Sequence, residues 1–307
     1  MATNSTIALM EGAAGVRHHP AQALADYWAL TKPEVNFLIA ITTLAGFCLA
    51  LPTQSHPFPF KLLIHTLLGT LLVAAGTATL NQYVERGYDA RMRRTVRRPL
   101  AAGRLDASAA LRFGILLSCT GAIYLVVAVN TLASLLAFLT LASYIYIYTP
   151  LKRKTPLCTL VGALPGAMPP LIGWAAASGK LSLEAWVLYA MLFLWQFPHF
   201  MAIAWMYRED YARAGYLVLP FGEQRGPFMA WQSLVPSLAL VPLSLTPTFL
   251  GHAGLIYSLG ALLLSCGFLS YGTQLALRRS NPLARRLLFA SIIYLPLVFL
   301  LMMLDKI

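Results

Sequence analysis

The sequence predicts an all-α polytopic membrane protein with nine transmembrane helices. Apolar residues make up 58% of the 307 positions and charged residues only 11%, whereas soluble domains carry about 25% charged residues. The mean hydropathy is +0.67. The apolar residues form long runs of roughly 18–22 residues, the length that crosses the hydrocarbon core of a bilayer. In lipid such a run must satisfy its own backbone hydrogen bonds, so these runs predict helices.

Nine such runs follow a more polar N-terminal segment. They cover residues 35–52, 61–82, 108–128, 131–148, 158–177, 185–206, 228–249, 253–275 and 287–304. Only Val129 and Asn130 separate the third run from the fourth, which predicts an antiparallel helical hairpin. We therefore divide the chain into an N-terminal tail, residues 1–27, and a transmembrane domain, residues 28–307.

The distribution of basic residues predicts how the chain is oriented. With the N-terminus placed in the cytoplasm, all but three of the 23 lysines and arginines fall in cytoplasmic segments; the exceptions are Lys61, Lys180 and Lys306. This is the bias that the positive-inside rule describes. The net charge of +12 thus predicts contact with a lipid bilayer and not with nucleic acid. The first 25 residues show neither a signal peptide nor a transit peptide, which favours a bacterial inner membrane.

The loop after the second span contains the strongest candidate site. If the second span continues as a helix, Asn81, Glu85 and Asp89 recur at i, i+4 and i+8 and share one face. Three hard oxygen ligands in a column suit Mg²⁺, which binds through one or two carboxylates together with substrate phosphates. Five arginines follow directly, at Arg91, Arg93, Arg94, Arg97 and Arg98. Their guanidinium groups suit phosphate oxygens, although such clusters also set topology and contact lipid headgroups.

Two further cytoplasmic segments carry charged residues. Arg208, Glu209 and Asp210 follow the sixth span, on the same predicted side as the first acidic loop. Tyr148 and Lys152 lie four residues apart after the fourth span, a spacing suited to a phosphate oxygen. On spacing alone the first segment could equally be a charged helix end, and the second a positive stop between two spans.

Two features lie within predicted spans. The prolines of the segment 165–170 interrupt the fifth span, which membrane helices tolerate where the backbone lines a cavity or is satisfied by neighbouring helices. Gln196 and His199 place an amide and an imidazole in the sixth span. An ionisable residue inside the membrane points to function, while a histidine hydrogen-bonded for structure is the alternative.

These motifs resemble a known family. The sequence resembles the heme O synthases, or protoheme IX farnesyltransferases, a branch of the intramembrane prenyltransferases typified by 4-hydroxybenzoate polyprenyltransferase. The resemblance covers residues 28–304. It is carried by Asn81-x3-Glu85-x3-Asp89, Met92-x-Arg94-Thr95-x2-Arg98-Pro99-Leu100, Thr31-Lys32-Pro33, Tyr148-Thr149-Pro150-Leu151-Lys152-Arg153, Gly162-x2-Pro165-Gly166-x2-Pro169-Pro170, Trp195-Gln196-x-Pro198-His199-Phe200 and Asp210-Tyr211-x3-Gly215-x3-Leu219-Pro220.

The resemblance implies a nine-helix bundle around a central cavity that cytoplasmic loops cap. It implies that farnesyl diphosphate and heme b react with the help of Mg²⁺ to give heme O and diphosphate. It further implies a heme O user as a partner, either heme A synthase or an oxidase assembly protein. The family's second Asp-x3-Asp motif is absent, and Asp210 is the best match to its last acid.

The residue chemistry and the resemblance together predict roles for individual residues. The catalytic set is Asn81, Glu85, Asp89 and Asp210. The metal ligands are Asn81, Glu85, Asp89, Glu209 and Asp210. The diphosphate-binding set is Arg91, Arg94, Arg97, Arg98, Lys152, Arg153, Lys32 and Arg208. The residues that bind the heme acceptor are His199, Tyr148, Trp195 and Gln196.

Two other functions remain as alternatives. A sibling transferase acting on an aromatic or quinone precursor would cleave the same kind of diphosphate and differ only in its acceptor. A secondary transporter would show repeated halves and charges near the midplane of the membrane. Here most of the charge lies at one face and the acidic motif is not repeated at matching spacing, which favours chemistry at a capped site.

Overall fold

A computed structural model describes residues 20–53, 57–222 and 225–307. Within these ranges nine continuous helical segments, two of them built from consecutive shorter helices, are long and apolar enough to cross a membrane, which confirms the predicted number of spans. The protein is an all-α polytopic membrane protein; across the described ranges the only β-type pairing is an isolated bridge between Ala253 and Lys306. Residues 1–19 of the predicted tail lie outside the described residues.

The helices are numbered here in chain order. They are α1 (Pro20–Leu30), α2 (Pro33–Ala50), α3 (Phe60–Asp89), α4 (Ala107–Ala128), α5 (Thr131–Ala142), α6 (Thr149–Leu151), α7 (Cys158–Gly166), α8 (Met168–Ser178), α9 (Leu183–Met206), α10 (Arg208–Ala214), α11 (Arg225–Phe249), α12 (Leu255–Arg278) and α13 (Asn281–Leu304). A π-helical turn, Ser143–Tyr148, joins α5 to α6 and completes the fourth span. Helices α7 and α8 together form the fifth span.

The prolines break the fifth span as predicted. Helix α7 ends at Gly166 and α8 begins at Met168. Proline has no N–H to donate to the preceding turn, so Pro169 and Pro170 are compatible with the start of a new helix but not with the middle of one. Gln196 of α9 donates its amide to the Ala163 carbonyl at 3.0 Å and thereby ties α7 to its neighbour.

Two spans are longer than predicted from hydropathy. Helix α3 continues to Asp89, seven residues beyond the apolar run that ends at residue 82. This extension is what the predicted column of Asn81, Glu85 and Asp89 on one helix face requires. Helix α13 begins at Asn281 rather than at 287, because Pro282 suits the first helical turn. Its first turns contain Arg285 and Arg286, whose charge excludes them from a prediction based on apolar runs.

The polar segments gather at the two ends of the bundle. One end carries the loop after α3, the segment after α6 and helix α10, which contact one another through the side chains described below. At the other end, the His252 imidazole lies 2.9 Å from the Glu184 carboxylate. There the Lys306 amine also donates to the carbonyls of Cys48 and Leu51.

Helix α1 packs against the first polar loop. Asp26 is 3% exposed and accepts hydrogen bonds from Arg104, with its oxygens 2.9 to 3.1 Å from the guanidinium nitrogens. Gln82 of α3 donates to the Leu30 carbonyl at 2.8 Å. Arg104 also donates to the Arg97 carbonyl at 3.1 Å. Helix α1 therefore fixes the end of the loop that carries the arginines.

Asp26→Ala should destabilise the protein by roughly 2 kcal/mol, because it leaves the Arg104 guanidinium without its charged partner. The measurement is the melting temperature of the detergent-purified protein. Glu34→Ala is the matched control: it removes an exposed carboxylate, for which a change within about 0.5 kcal/mol is expected. Equal melting temperatures for the two variants would contradict a role for Asp26 in docking α1.

Candidate functional site

The three polar residues predicted to share a face do so at the end of α3. Asn81 is 1% exposed, Glu85 is 5% exposed and Asp89 is not exposed at all. A buried carboxylate is unfavourable unless it is paired or binds a metal, so two of them one helical turn apart require compensating charge. The local cause of the arrangement is the uninterrupted helix Phe60–Asp89.

Each member of this column is paired with a cation from a different segment of the chain. The pairs are Lys32 Nζ with Asn81 Oδ1 at 3.1 Å, Lys152 Nζ with Glu85 Oε1 at 2.8 Å, and Arg98 Nη1 with Asp89 Oδ2 at 2.8 Å. Asn81 also donates its amide to Thr149 Oγ1 at 3.3 Å. The structure thus brings together six of the residues predicted for metal and diphosphate binding.

The two lysines differ in their electrostatic environment. Burial, reinforced by the positive charges of Arg98 and Lys152, lowers the pKa of Lys32 to about 7. Burial alone would also lower the pKa of Lys152, but the adjacent Glu85 carboxylate raises it well above its ordinary range. Lys32 has a left-handed backbone (φ 51°) immediately before α2, a conformation that a residue with a side chain adopts at a cost of about 1–2 kcal/mol.

The column fits a magnesium ion by the chemistry of its oxygens. Asp89 Oδ1 is buried and has no hydrogen-bond partner, so one carboxylate oxygen is free to act as a ligand. Glu85 and Asn81 add further hard oxygens, the type that Mg²⁺ prefers. No group of three or more His, Cys, Asp or Glu side chains suited to a metal occurs among the described residues. A Mg²⁺ ion held by these oxygens would complete its coordination with phosphate oxygens and water.

Asp210 lies at the same end of the bundle as Asp89. Its Oδ2 accepts a hydrogen bond from the backbone N–H of Arg94 at 3.1 Å, and its Oδ1 accepts one from Arg213. The Arg94 guanidinium also lies 4.9 Å from the centroid of the Tyr207 ring. Asp210 thus joins α10 to the arginine loop through Oδ2, while its Oδ1 is paired with Arg213 within α10 itself.

Several predicted residues are not brought to the column. The Glu209 side chain is 84% exposed and lies 3.9 Å from Arg208. Arg208 instead donates to Asn281 at 2.9 Å, which links α10 to α13. The side chains of Arg91 and Arg97 are exposed at the surface of the loop.

Tyrosines form a second group that the motifs do not indicate. Arg153 donates to the Tyr88 hydroxyl at 2.7 Å and lies 5.1 Å from the centroid of the Tyr88 ring. The Tyr88 and Tyr216 rings are 5.4 Å apart. Together with Glu85 and Thr149 these residues line a cleft beside the column. The available signal is that each of the three cytoplasmic segments contains tyrosine close to basic residues.

The residues predicted to bind the acceptor have unequal surroundings. Trp195 is buried and donates to the Ser291 carbonyl at 2.9 Å, while Gln196 is buried and bonded to backbone. The Tyr148 ring lies 4.6 Å from Lys152 Nζ, nearer the column than the midplane. His199 is partly exposed, and its ring stacks on Trp195 with centroids 4.7 Å apart. Of these four residues, His199 is the one whose surroundings best allow its side chain to contact a ligand.

The hydrogen bonds of Ser291 define the tautomer of His199. Ser291 Oγ lies 2.6 Å from the Leu288 carbonyl, to which it donates, and 2.7 Å from His199 Nδ1. A serine hydroxyl has one hydrogen, so His199 Nδ1 must be the donor in the second contact. The other ring nitrogen, Nε2, then carries a lone pair.

Comparison with known proteins gives the family. A sequence model described as the UbiA prenyltransferase family matches residues 39–293. The chain belongs to the UbiA prenyltransferase family. A curated protein from Solibacter usitatus (strain Ellin6076), named protoheme IX farnesyltransferase, is 50% identical over 287 residues, which is 92% of this chain and 98% of that protein.

Solved structures share the fold of this chain at low sequence identity. A solved structure of a digeranylgeranylglyceryl phosphate synthase superimposes with a TM-score of 0.73 at 17% identity, covering 92% of this chain and 98% of that one. A UbiA homologue from Archaeoglobus fulgidus, solved with GPP and Mg²⁺, gives a TM-score of 0.60 at 16% identity over 90% of this chain and 99% of that one. The fold of the chain is therefore that of the UbiA family.

Proposed function

We propose that the protein transfers a farnesyl group from farnesyl diphosphate to a vinyl group of heme b, giving heme O and diphosphate. The observation that carries the proposal is the buried column of Asn81, Glu85 and Asp89, each paired with a cation. Carboxylates alone would repel a diphosphate, and cations alone would lack a metal bridge. The similarity to curated protoheme IX farnesyltransferases supports heme b as the acceptor.

Asn81, Glu85 and Asp89 are the proposed ligands of Mg²⁺. The ion, when bound, neutralises part of the charge on the diphosphate leaving group. The Archaeoglobus fulgidus homologue was solved with GPP and Mg²⁺ bound, which supports Mg²⁺ as the ion in this proposal. Asp210 acts in this proposal by holding Arg94 and its loop in place over the site.

The cations around the column stabilise the charge that develops during the reaction. Lys152 and Arg98 lie beside the carboxylates, where negative charge grows on the departing diphosphate as the C1–O bond of the farnesyl chain breaks. The resulting allylic cation accepts the electron pair of a heme vinyl group, which forms the new C–C bond. Water then adds to the cation left on heme and loses a proton, so a hydroxyl remains beside the new bond.

His199 is the proposed contact for heme. Its Nε2 carries a lone pair because Ser291 holds Nδ1 as the donor, and a neutral imidazole nitrogen is a common ligand of heme iron. The stacked Trp195 ring fixes the plane of the imidazole. A contact from His199 to iron would orient the heme acceptor within the bundle.

His199→Ala should change the Soret absorption of heme b bound to the purified protein and weaken heme binding, because the iron loses a nitrogen ligand. Absorption titration with heme b measures both effects. His65→Ala is the matched control. His65 also lies within a span, but it is in α3, and its Nδ1 atom is 2.6 Å from the Tyr124 hydroxyl of α4. An identical bound-heme spectrum for His199→Ala and wild type would exclude iron ligation by His199.

We further propose that the active-site end of the bundle faces the cytoplasm of a bacterium and that the chain lies in the inner membrane. The basic loop after α3, the segment after α6 and α10 meet at this end, as expected for cytoplasmic loops. Residues 28–307 are the proposed catalytic domain. The product would pass to heme A synthase or to an oxidase assembly protein.

Incubating the purified protein with heme b, farnesyl diphosphate and Mg²⁺ tests the function. Mass spectrometry should detect heme O, and omission of Mg²⁺ should abolish it. A parallel reaction with 4-hydroxybenzoate in place of heme b tests the sibling acceptor. A prenylated aromatic product without heme O would replace the proposed acceptor, and no diphosphate release with either acceptor would refute prenyl transfer.

A further inference from the structure

Tyr216 has a buried hydroxyl without a partner. The residue is 3% exposed, and its hydroxyl has no hydrogen-bond partner within 3.5 Å in the described part of the chain. An unpaired buried polar group is unfavourable and is rare in folded proteins. Such a group beside a functional cleft calls for a ligand or a structural explanation.

The backbone around Tyr216 holds it firmly in place. Gly215 has a φ of 77° and ends α10, a left-handed conformation that glycine adopts without a steric penalty. The Tyr216 N–H then donates to the Tyr211 carbonyl at 2.9 Å, and the Leu217 N–H donates to the Lys152 carbonyl at 2.6 Å. The second bond ties this turn to the segment that supplies Lys152.

The ring of Tyr216 is packed on the cleft side of this turn. Its centroid is 5.4 Å from that of Tyr88 and 6.2 Å from that of Tyr211. The Lys152 amine lies 6.0 Å from the same centroid. The ring is one wall of the cleft that Glu85, Thr149 and Arg153 also line, so its environment is both anionic and cationic.

The unpaired groups of this site are complementary to a metal–diphosphate. Asp89 Oδ1 is a buried acceptor without a donor, and the Tyr216 hydroxyl is a buried donor without an acceptor. A cation satisfies the first, and an anionic oxygen satisfies the second. The Glu85 carboxylate is the protein acceptor beside the Tyr216 hydroxyl, but it already accepts from Lys152 at 2.8 Å and would be the metal's ligand in the proposed function.

We propose that Tyr216 is a substrate-binding residue whose hydroxyl donates a hydrogen bond to an oxygen of the diphosphate. This inference rests on the proposed function, since it takes the cleft to be the diphosphate site. A phenol ionises only at a pH of about 10, so the hydroxyl keeps its proton near neutral pH and can donate. Tyr216 lies at an unspecified position of the motif Asp210-Tyr211-x3-Gly215-x3-Leu219, which explains why the motif does not indicate it.

Tyr216→Phe tests the inference, with inorganic pyrophosphate and Mg²⁺ as the probe on the full chain in detergent. The variant should bind pyrophosphate about tenfold more weakly than wild type, the loss expected for a hydrogen bond to a charged group. The KM for farnesyl diphosphate should rise by a similar factor, while the KM for heme b stays unchanged. Tyr271→Phe, which removes the hydroxyl of a partly exposed tyrosine in α12, is the control and should match wild type.

The melting temperature without ligand separates binding from a structural role. Removal of an unpaired hydroxyl should leave it unchanged or raise it, whereas removal of a hydroxyl that stabilises the fold would lower it. A lowered melting temperature, or unchanged pyrophosphate binding, would overturn the inference. If wild type binds pyrophosphate but yields no heme O, the proposed acceptor fails while the role of Tyr216 stands.

Discussion

Asp89→Asn is expected to reduce heme O formation by about a thousandfold while the protein remains folded. The substitution keeps the size of the side chain but removes its charge. The Asp89 Oδ1 atom has no partner, and its Oδ2 accepts from Arg98 at 2.8 Å. An amide would present its N–H₂ group either to the metal or to Arg98, and in both cases the site would lose the negative charge that attracts these two cations.

Product formation is measured by mass spectrometry, and retained folding by the melting temperature and by heme binding. Glu209→Gln is the informative comparison, because Glu209 is among the metal ligands predicted from the sequence but its side chain is 84% exposed. We expect this variant to retain nearly full activity. Near-normal heme O formation by Asp89→Asn, or a loss in Glu209→Gln as large as that in Asp89→Asn, would contradict the proposed metal site.

The column is predictable because helical spacing is a local property. Asn81, Glu85 and Asp89 need only an uninterrupted helix to share a face, and α3 continues through all three. The break in the fifth span is predictable for the same reason. Pro169 and Pro170 lack the backbone N–H groups that the middle of a helix requires. Local chemistry alone determines both features.

The partners of the column cannot be predicted from spacing. Lys32 and Asn81 are 49 residues apart in the chain, and Arg94 and Asp210 are 116 apart. Which cation meets which carboxylate depends on how the helices pack, and that depends on side-chain fit along whole spans. Tyr216 escapes prediction for the same reason, since its importance lies in its tertiary position.

Two adjacent acidic residues show how helix packing determines which side chain contacts the arginine loop. Glu209 and Asp210 are adjacent in sequence, yet Asp210 is buried and bonded to the arginine loop while Glu209 points to solvent. Successive residues on a helix face different directions, so only one of the two can meet the loop. Spacing along the chain places both acids at the correct end of the bundle but does not determine the rotation of α10.

Gly173→Ala should lower the stability of the protein by about 3 kcal/mol. In α8 a Cβ at this position would lie closer than 3.0 Å to the backbone carbonyl oxygen of Thr43 in α2. The contact is reciprocal, because a Cβ at Gly46 of α2 would overlap the Pro170 carbonyl oxygen in the same way. Backbone atoms cannot turn aside as a side chain can, so the two helices would have to separate. Close approach at small residues is a principal source of packing between membrane helices.

The melting temperature in detergent measures the effect, and Gly267→Ala is the matched control. Gly267 lies inside α12, and a methyl group added there would have nothing within 4 Å, so alanine should be neutral or stabilising. Equal melting temperatures for the two variants would show that α2 can move away from α8 at little cost. Lys32, which pairs with Asn81, immediately precedes α2. If α2 can move away from α8, the contact between these two helices does not hold Lys32 in place beside Asn81.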